Sequence, residues 1–79
     1  MKRVLVACEE SQEVCKAFRS MGIKAFSCDL CACSGGHPEW HIQYDALEVA
    51  KGGLFLTNSG EIHYIEKWDL IIAHLHAPI

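Results

Sequence analysis

Apolar residues fall in short blocks along the chain, and the spacing within each block predicts an element. Residues 3–8 form a continuous, β-branched run without alternation, which is typical of a parallel strand covered on both faces. Residues 14–21 carry apolar side chains at i, i+3, i+4 and i+7, which predicts one buried helical stripe. Ser11 is the expected N-cap and Gly22 the expected stop. Residues 23–28 then predict a second strand, which completes a right-handed βαβ unit.

The second half of the chain predicts shorter elements. Residues 29–44 have no period and contain Gly and Pro, so they are expected to form one long loop. Asp45 and Glu48 have capping-box spacing, which predicts a short helix that ends at the following glycine pair. Residues 54–65 are typical of a hairpin around an Asn-Ser-Gly turn, in which His63 is expected to face solvent. Residues 68–73 predict another buried parallel strand.

Length and composition limit the classes of protein that fit. A chain of 79 residues has room for one small domain, which excludes a two-domain enzyme. With 51% hydrophobic and 22% charged residues, it is expected to fold. The net charge of -3 argues against nucleic-acid binding by phosphate neutralisation alone. No export signal or membrane-length apolar run is visible, so we expect a cytoplasmic protein without membrane partners.

Polar residues at the ends of the first two predicted strands indicate a ligand site. Cys8, Glu9 and Ser11 lie between the first strand and the first helix, whose free N–H groups suit an anionic ligand group. Asp29 ends the second strand, where nucleotide-binding α/β domains place an acid that accepts hydrogen bonds from ribose hydroxyls. The alternative is that the glutamates are solvated loop charges and that Asp29 is only a strand-end cap.

A cluster of metal-ligating residue types indicates a different site. It consists of Cys28, Cys31, Cys33, His37 and His41. Thiolate and imidazole ligands at such short spacing can close a tetrahedral zinc site. Only the Cys28–Cys31 spacing matches a common zinc knuckle, and no second cysteine pair follows. The five cysteines are an odd number without an export signal, so free thiols or a metal are expected in preference to disulfides.

Several short segments of the sequence together resemble one protein family. They are residues 4–9 (Val-Leu-Val-Ala-Cys-Glu), residues 27–30 (Ser-Cys-Asp-Leu), residues 34–43 (Ser-Gly-Gly-His-Pro-Glu-Trp-His-Ile-Gln), Asp45, and residues 68–74 (Trp-Asp-Leu-Ile-Ile-Ala-His). The family comprises small phage and prophage proteins known as DNA cytosine methyltransferase-like. Residues 34–43, in the predicted loop, are the most specific part of the resemblance. The resemblance as a whole implies an α/β fold with a partial Rossmann-like parallel sheet, formed by residues 1–79 as a single truncated domain.

The resemblance also implies a cofactor, S-adenosylmethionine, and the residues that bind it. Ala7 to Ser11 would form the loop under the methionine and ribose. Asp29 would bond the ribose hydroxyls, with Leu30 beside it. Asp45 and Ala46 would flank the adenine.

The resemblance ends at the active-site loop, which His74 would begin. The family continues His-Pro-Pro-Cys-Thr-Tyr-Leu, with cysteine as the nucleophile, whereas this chain continues Leu-His-Ala-Pro-Ile. When a single cytosine is deleted from a coding sequence for the family's loop, the reading frame shifts and encodes the ending of this chain instead. We therefore expect an N-terminal fragment that is not catalytic by itself. DNA would be a partner of the full-length parent only.

Loss of the later strands would leave an open strand edge and an apolar face, so a homo-oligomer is expected. Three other interpretations stay open at this point. The final residues could be a native tail. The chain could be a stand-alone module that binds a nucleotide-like ligand or a protein, or a zinc-stabilised loop domain.

Overall fold

The structure is a computed structural model that describes residues 2–74. Its elements, in chain order, are β1 (Arg3–Ala7), α1 (Glu13–Ser20), β2 (Lys24–Asp29), a 3₁₀ turn (Pro38–Trp40), β3 (His41–Gln43), α2 (Ala46–Ala50), β4 (Gly53–Leu56), β5 (Ile62–Ile65) and β6 (Leu70–Ala73). The prediction of an α/β protein is confirmed. The active-site loop expected after His74 lies outside the described residues.

Four strands form a parallel sheet in the order β3-β2-β1-β6. β1 is central, and it pairs with β2 on one side and with β6 on the other. The domain is therefore a mixed α/β fold with a partial Rossmann-like arrangement. β3 lies inside the segment that was predicted to be loop throughout. It has only three residues and directly follows a turn, so it is too short to show a period.

The two faces of the sheet carry separate apolar clusters, because the side chains of β1 point alternately to each face. One cluster holds Leu5, Phe26, Cys28, Ile42, Val49, Ile65 and Trp68, and it is covered by α2 and the β4–β5 hairpin. The other holds Val4, Val6, Cys15 and Ala25, and it is covered by α1. Both faces of β1 are buried, as its unbroken apolar run predicts.

The β4–β5 hairpin forms a separate two-stranded antiparallel sheet. His63 points inward, and its ring lies 5.0 Å from that of Phe26. The prediction that His63 faces solvent is therefore wrong. The hairpin register pairs His63 with Phe55, so both side chains belong to the face that packs on the core. The apolar residues that alternate with them point outward.

A buried network of polar side chains attaches the long loop to the sheet. Ser27 Oγ lies 2.8 Å from His41 Nδ1, and Gln12 Nε2 donates to the same hydroxyl at 3.0 Å. His41 Nε2 lies 2.9 Å from the Cys31 carbonyl oxygen, so it is the protonated nitrogen and Nδ1 accepts from Ser27. Gln12 also bonds both backbone groups of His37. The network holds the loop against the β1–α1 turn.

Replacing Ser27 with alanine is expected to lower the free energy of unfolding by about 1–3 kcal/mol, since Gln12 and His41 would each lose a buried partner. Urea denaturation followed by circular dichroism measures this change. Ser20→Ala is the matched control, because the Ser20 hydroxyl is exposed and bonds only within its own helix. Equal costs for the two substitutions would show that the network contributes nothing beyond a surface hydroxyl.

Candidate functional site

A cleft opens at the carboxyl end of the parallel sheet. Its volume is about 340 Å³, and it is lined by Cys8, Asp29, Leu30, Tyr44, Asp45, Ala46 and Leu47. Five of these residues are among those predicted to bind the cofactor. They come from three separate chain segments, at the carboxyl ends of β1, β2 and β3 respectively. The carboxyl ends of parallel strands are the usual position of ligand sites in open α/β sheets.

A smaller cleft of about 190 Å³ shares Cys8 with the first. It is lined by Cys8, Glu9, Glu10, Ser11, Glu13, Val14 and His74. Cys8 has a positive φ of 60°, in the left-handed region, and it lines both clefts. Ala7, which was also predicted to bind the cofactor, is buried inside β1 and lines neither cleft. Its carbonyl instead accepts the backbone N–H of His74 at 3.1 Å.

Glu9 occupies the N-terminus of α1. It is only 4% exposed, and its two carboxylate oxygens accept the N–H groups of Val14 and Cys15, each at 2.9 Å. The helix therefore begins at Glu13 with a carboxylate already in place, and Ser11 is not its N-cap. The predictions that Ser11 caps this helix and that these N–H groups are free for an anionic ligand are therefore wrong. The alternative that Glu9 is a solvated loop charge is excluded as well.

His74 connects the end of β6 to the same carboxylate. Its Nε2 atom lies 3.0 Å from Glu9 Oε2. The imidazole is half-exposed, whereas the carboxylate is buried. Glu9 thus joins three parts of the chain: the end of β1, the start of α1 and the residue that follows β6.

Asp29 and Asp45 face the larger cleft, and each also organises its own backbone. Asp29 Oδ1 accepts the N–H of Cys31 at 3.0 Å. Asp45 Oδ1 accepts the N–H of Leu47 at 2.8 Å, which confirms the predicted N-cap of α2. Glu48, the other residue with the capping-box spacing, forms an ion pair with Lys51 at 2.7 Å. Both aspartates carry a second carboxylate oxygen, which is available to a ligand.

Acidic residues dominate the charge of the two clefts. Carboxylates come from Glu9, Glu10, Glu13, Asp29 and Asp45, and among the lining residues within 2–74 only His74 can carry a positive charge. In that part of the chain no lysine or arginine lines either cleft. Such a site favours ligand groups that are cationic or that donate hydrogen bonds, and it disfavours phosphates.

The residues of the zinc interpretation point to different partners. Cys28 is buried and its thiol donates to the Tyr44 carbonyl at 3.2 Å, whereas Cys31 is exposed. Cys33 is half-buried. Both ring nitrogens of His41 have partners in the buried network, and His37 pairs with Glu39 at 3.0 Å while it stacks on Trp40. Within residues 2–74 no three side chains of the ligating types are grouped to hold a metal ion. The placement of these residues gives the zinc interpretation no support.

Burial is expected to divide the cysteines by reactivity. It raises the pKa of the Cys28 thiol to about 12 and that of Cys15 to about 11, because the thiolate is disfavoured away from water. At pH 8.5 iodoacetamide should therefore modify exposed Cys31 at least about tenfold faster than either buried thiol. Peptide mass spectrometry of the folded protein measures the three rates, and urea-unfolded protein is the control. Equal rates in the folded protein would contradict this assignment.

Two features of the site were missed by the sequence analysis. Tyr44 and Leu47 line the cleft beside the predicted residues, and they are 57% and 78% exposed. Their position depends on β3, which has no sequence signal. The burial of Glu9 was also missed, although an acid directly after a buried strand and shortly before a helix was a usable signal.

Comparison of the chain with protein-family models, curated proteins and solved structures found no match. No helix within residues 2–74 has the length and apolar character needed to cross a membrane.

Proposed function

We propose that this domain binds S-adenosylmethionine at the carboxyl end of its parallel sheet. The observation that carries the proposal is the meeting of three chain segments in one cleft: Cys8 after β1, Asp29 and Leu30 at the end of β2, and Asp45 and Ala46 after β3. The methyltransferase-like resemblance predicts this set of residues, and the two clefts, which share Cys8, together supply space for an elongated ligand.

The charge of the site supports this ligand over a phosphate-bearing nucleotide. S-adenosylmethionine carries a sulfonium, an ammonium and one carboxylate group, so its net charge is positive and it has two positive centres to place among the five carboxylates of the clefts. A dinucleotide would bring a negative pyrophosphate, which usually rests on free helix N–H groups. Here the Glu9 carboxylate accepts two of those N–H groups. The nucleotide-binding alternative is therefore the weaker of the two.

The lining residues divide into groups suited to different parts of the ligand. The free oxygen of Asp29 can accept hydrogen bonds from ribose hydroxyls. Leu30, Tyr44 and Leu47 are exposed and largely apolar, and they provide surfaces on which an adenine can pack. In the smaller cleft, Glu10 is exposed and can attract the ammonium group of the ligand. Its carboxylate also accepts the Ser34 hydroxyl.

The resemblance gives the reaction class in which such a cofactor would serve, namely transfer of a methyl group to a DNA cytosine. The thiol nucleophile of that chemistry belongs to a loop that would follow His74, which lies outside the described residues. The proposal for the described domain is therefore cofactor binding. A DNA partner, self-association and a cytoplasmic location stay predictions.

Isothermal titration calorimetry of the purified chain tests the proposal. We expect binding of S-adenosylmethionine, weaker binding of S-adenosylhomocysteine because it lacks the sulfonium charge, and weaker binding still of NAD. Circular dichroism of the same sample verifies that it is folded. A folded sample that binds NAD at least as tightly as S-adenosylmethionine, or that binds none of the three, would overturn the proposal.

A further inference from the structure

The outer face of the β4–β5 hairpin is apolar and uncovered. Leu54 and Leu56 on β4 are 71% and 60% exposed, and Ile62 and Tyr64 on β5 are 71% and 64% exposed. The antiparallel register pairs Leu54 with Tyr64 and Leu56 with Ile62, so all four side chains lie together on one face. We call these four residues the outer hairpin face.

The hairpin has the pattern of a sheet that is buried on both faces. In an antiparallel sheet with one solvated face, outward positions are normally polar. Here Phe55, His63 and Ile65 point to the core, yet none of the alternating outward residues is charged. An isolated two-stranded sheet is also only marginally stable in water. Cover on the second side would therefore stabilise the hairpin as well as remove apolar surface from water.

The outer hairpin face continues into a groove. This groove has a volume of about 820 Å³ and runs between β3 and β4. Leu54 and Leu56 line it together with Ile42 and the exposed ring of Tyr44. The apolar surface thus extends beyond the hairpin and offers a recess beside it.

We propose that the outer hairpin face is the contact surface of a homodimer. Four side chains of this size at these exposures present roughly 400–500 Å², which is as large as the largest apolar patch of a typical monomer. With the groove added, each side stays below the roughly 800 Å² of a standard interface, and the two sides together come to about 1,000 Å², the lower end for a specific contact, so a weak dimer is expected. A dimer with a two-fold axis uses the same patch on both copies, so this one face is sufficient. None of its four residues is charged, so their contact buries no charge.

Sedimentation-velocity centrifugation of the full chain over a wide concentration range tests the proposal. The wild type is expected to form dimers reversibly. The double variant Leu54→Thr, Ile62→Thr should raise the dimer dissociation constant at least about tenfold, since it removes apolar surface from both copies. Threonine retains the β propensity of the strands, and circular dichroism verifies the fold. Met21→Thr is the matched control, because Met21 is 65% exposed and lies next to α1, outside this face.

A photo-crosslinker at position 64 locates the contact directly. Crosslinked dimers should form from position 64 and not from position 21. A wild type that stays monomeric at every concentration would overturn the proposal. Dimers that persist in the double variant and are lost instead when Leu70 and Ile71 are changed would place the contact at β6 and overturn it equally. Because none of the four residues of the outer hairpin face lines the cofactor clefts, cofactor binding by the double variant separates this proposal from the proposed function.

Discussion

Replacing Asp29 with alanine is expected to weaken binding of S-adenosylmethionine at least about tenfold. Hydrogen bonds to a charged group contribute about 1.5–3 kcal/mol each, and the free oxygen of Asp29 is the acceptor best placed for ribose hydroxyls. Asp29→Asn should fall between the wild type and alanine, because the amide keeps one acceptor but loses the charge. Calorimetric titration of each variant measures the dissociation constants.

Asp69→Ala is the matched control for this experiment. Like Asp29, Asp69 lies at a strand end and accepts a backbone N–H, that of Arg3 at 2.7 Å, but it is exposed, precedes β6 and lines neither cleft. Its removal should leave the affinity unchanged. Wild-type affinity in folded Asp29→Ala protein would remove Asp29 from the site. An equal loss in Asp69→Ala would assign the effect to the sheet in general.

Replacing Glu9 with alanine is expected to cost about 3 kcal/mol or more of the free energy of unfolding. The substitution would leave the Val14 and Cys15 N–H groups without their acceptor at the start of α1, and it would also release His74. For a domain of this size that is a large share of the total stability, which amounts to roughly 4–12 kcal/mol. Urea denaturation followed by circular dichroism measures the change.

The neighbouring Glu10 is the natural control for Glu9. It is exposed, and its carboxylate accepts only the exposed Ser34 hydroxyl, so Glu10→Ala should cost no more than about 1 kcal/mol. Glu9→Gln should cost less than Glu9→Ala, since the amide oxygen can still accept one of the two N–H groups. If Glu9→Ala and Glu10→Ala are equally stable, the carboxylate does not hold the helix in the way the contacts indicate.

The main strands and helices were predictable because their apolar patterns are long enough to show a period. The run that became β1 and the stripe of α1 are examples, and the structure confirms both elements. β3 was not predictable, since three residues show no period and its pairing with β2 depends on tertiary contact. The orientation of the His63 side chain was predicted wrongly, because its polarity suggested that it faces solvent. The register of the hairpin and the contact with Phe26 show that it points to the core.

For the site, the residues that meet in the cleft were more predictable from the sequence than the hydrogen bonds that they make. Cys8, Asp29 and Asp45 lie at or just after the ends of different strands, and parallel topology brings such positions to the same end of the sheet. The bonds of Glu9 were not predicted, because they depend on the left-handed turns at Cys8 and Gln12, with φ values of 60° and 61°. Non-glycine residues in that region have no reliable sequence signal.

An NMR titration of ¹⁵N-labelled protein with S-adenosylmethionine tests the proposed site most directly. Saturable amide shift changes should concentrate at Cys8, Asp29, Leu30, Asp45 and Ala46, which line one cleft. The shifts of amides at the amino end of the sheet, such as that of Lys24 at the start of β2, should stay unchanged. Saturable shifts confined to the β4–β5 hairpin, or no shifts at all in folded protein, would contradict a cofactor site at the carboxyl end of the sheet.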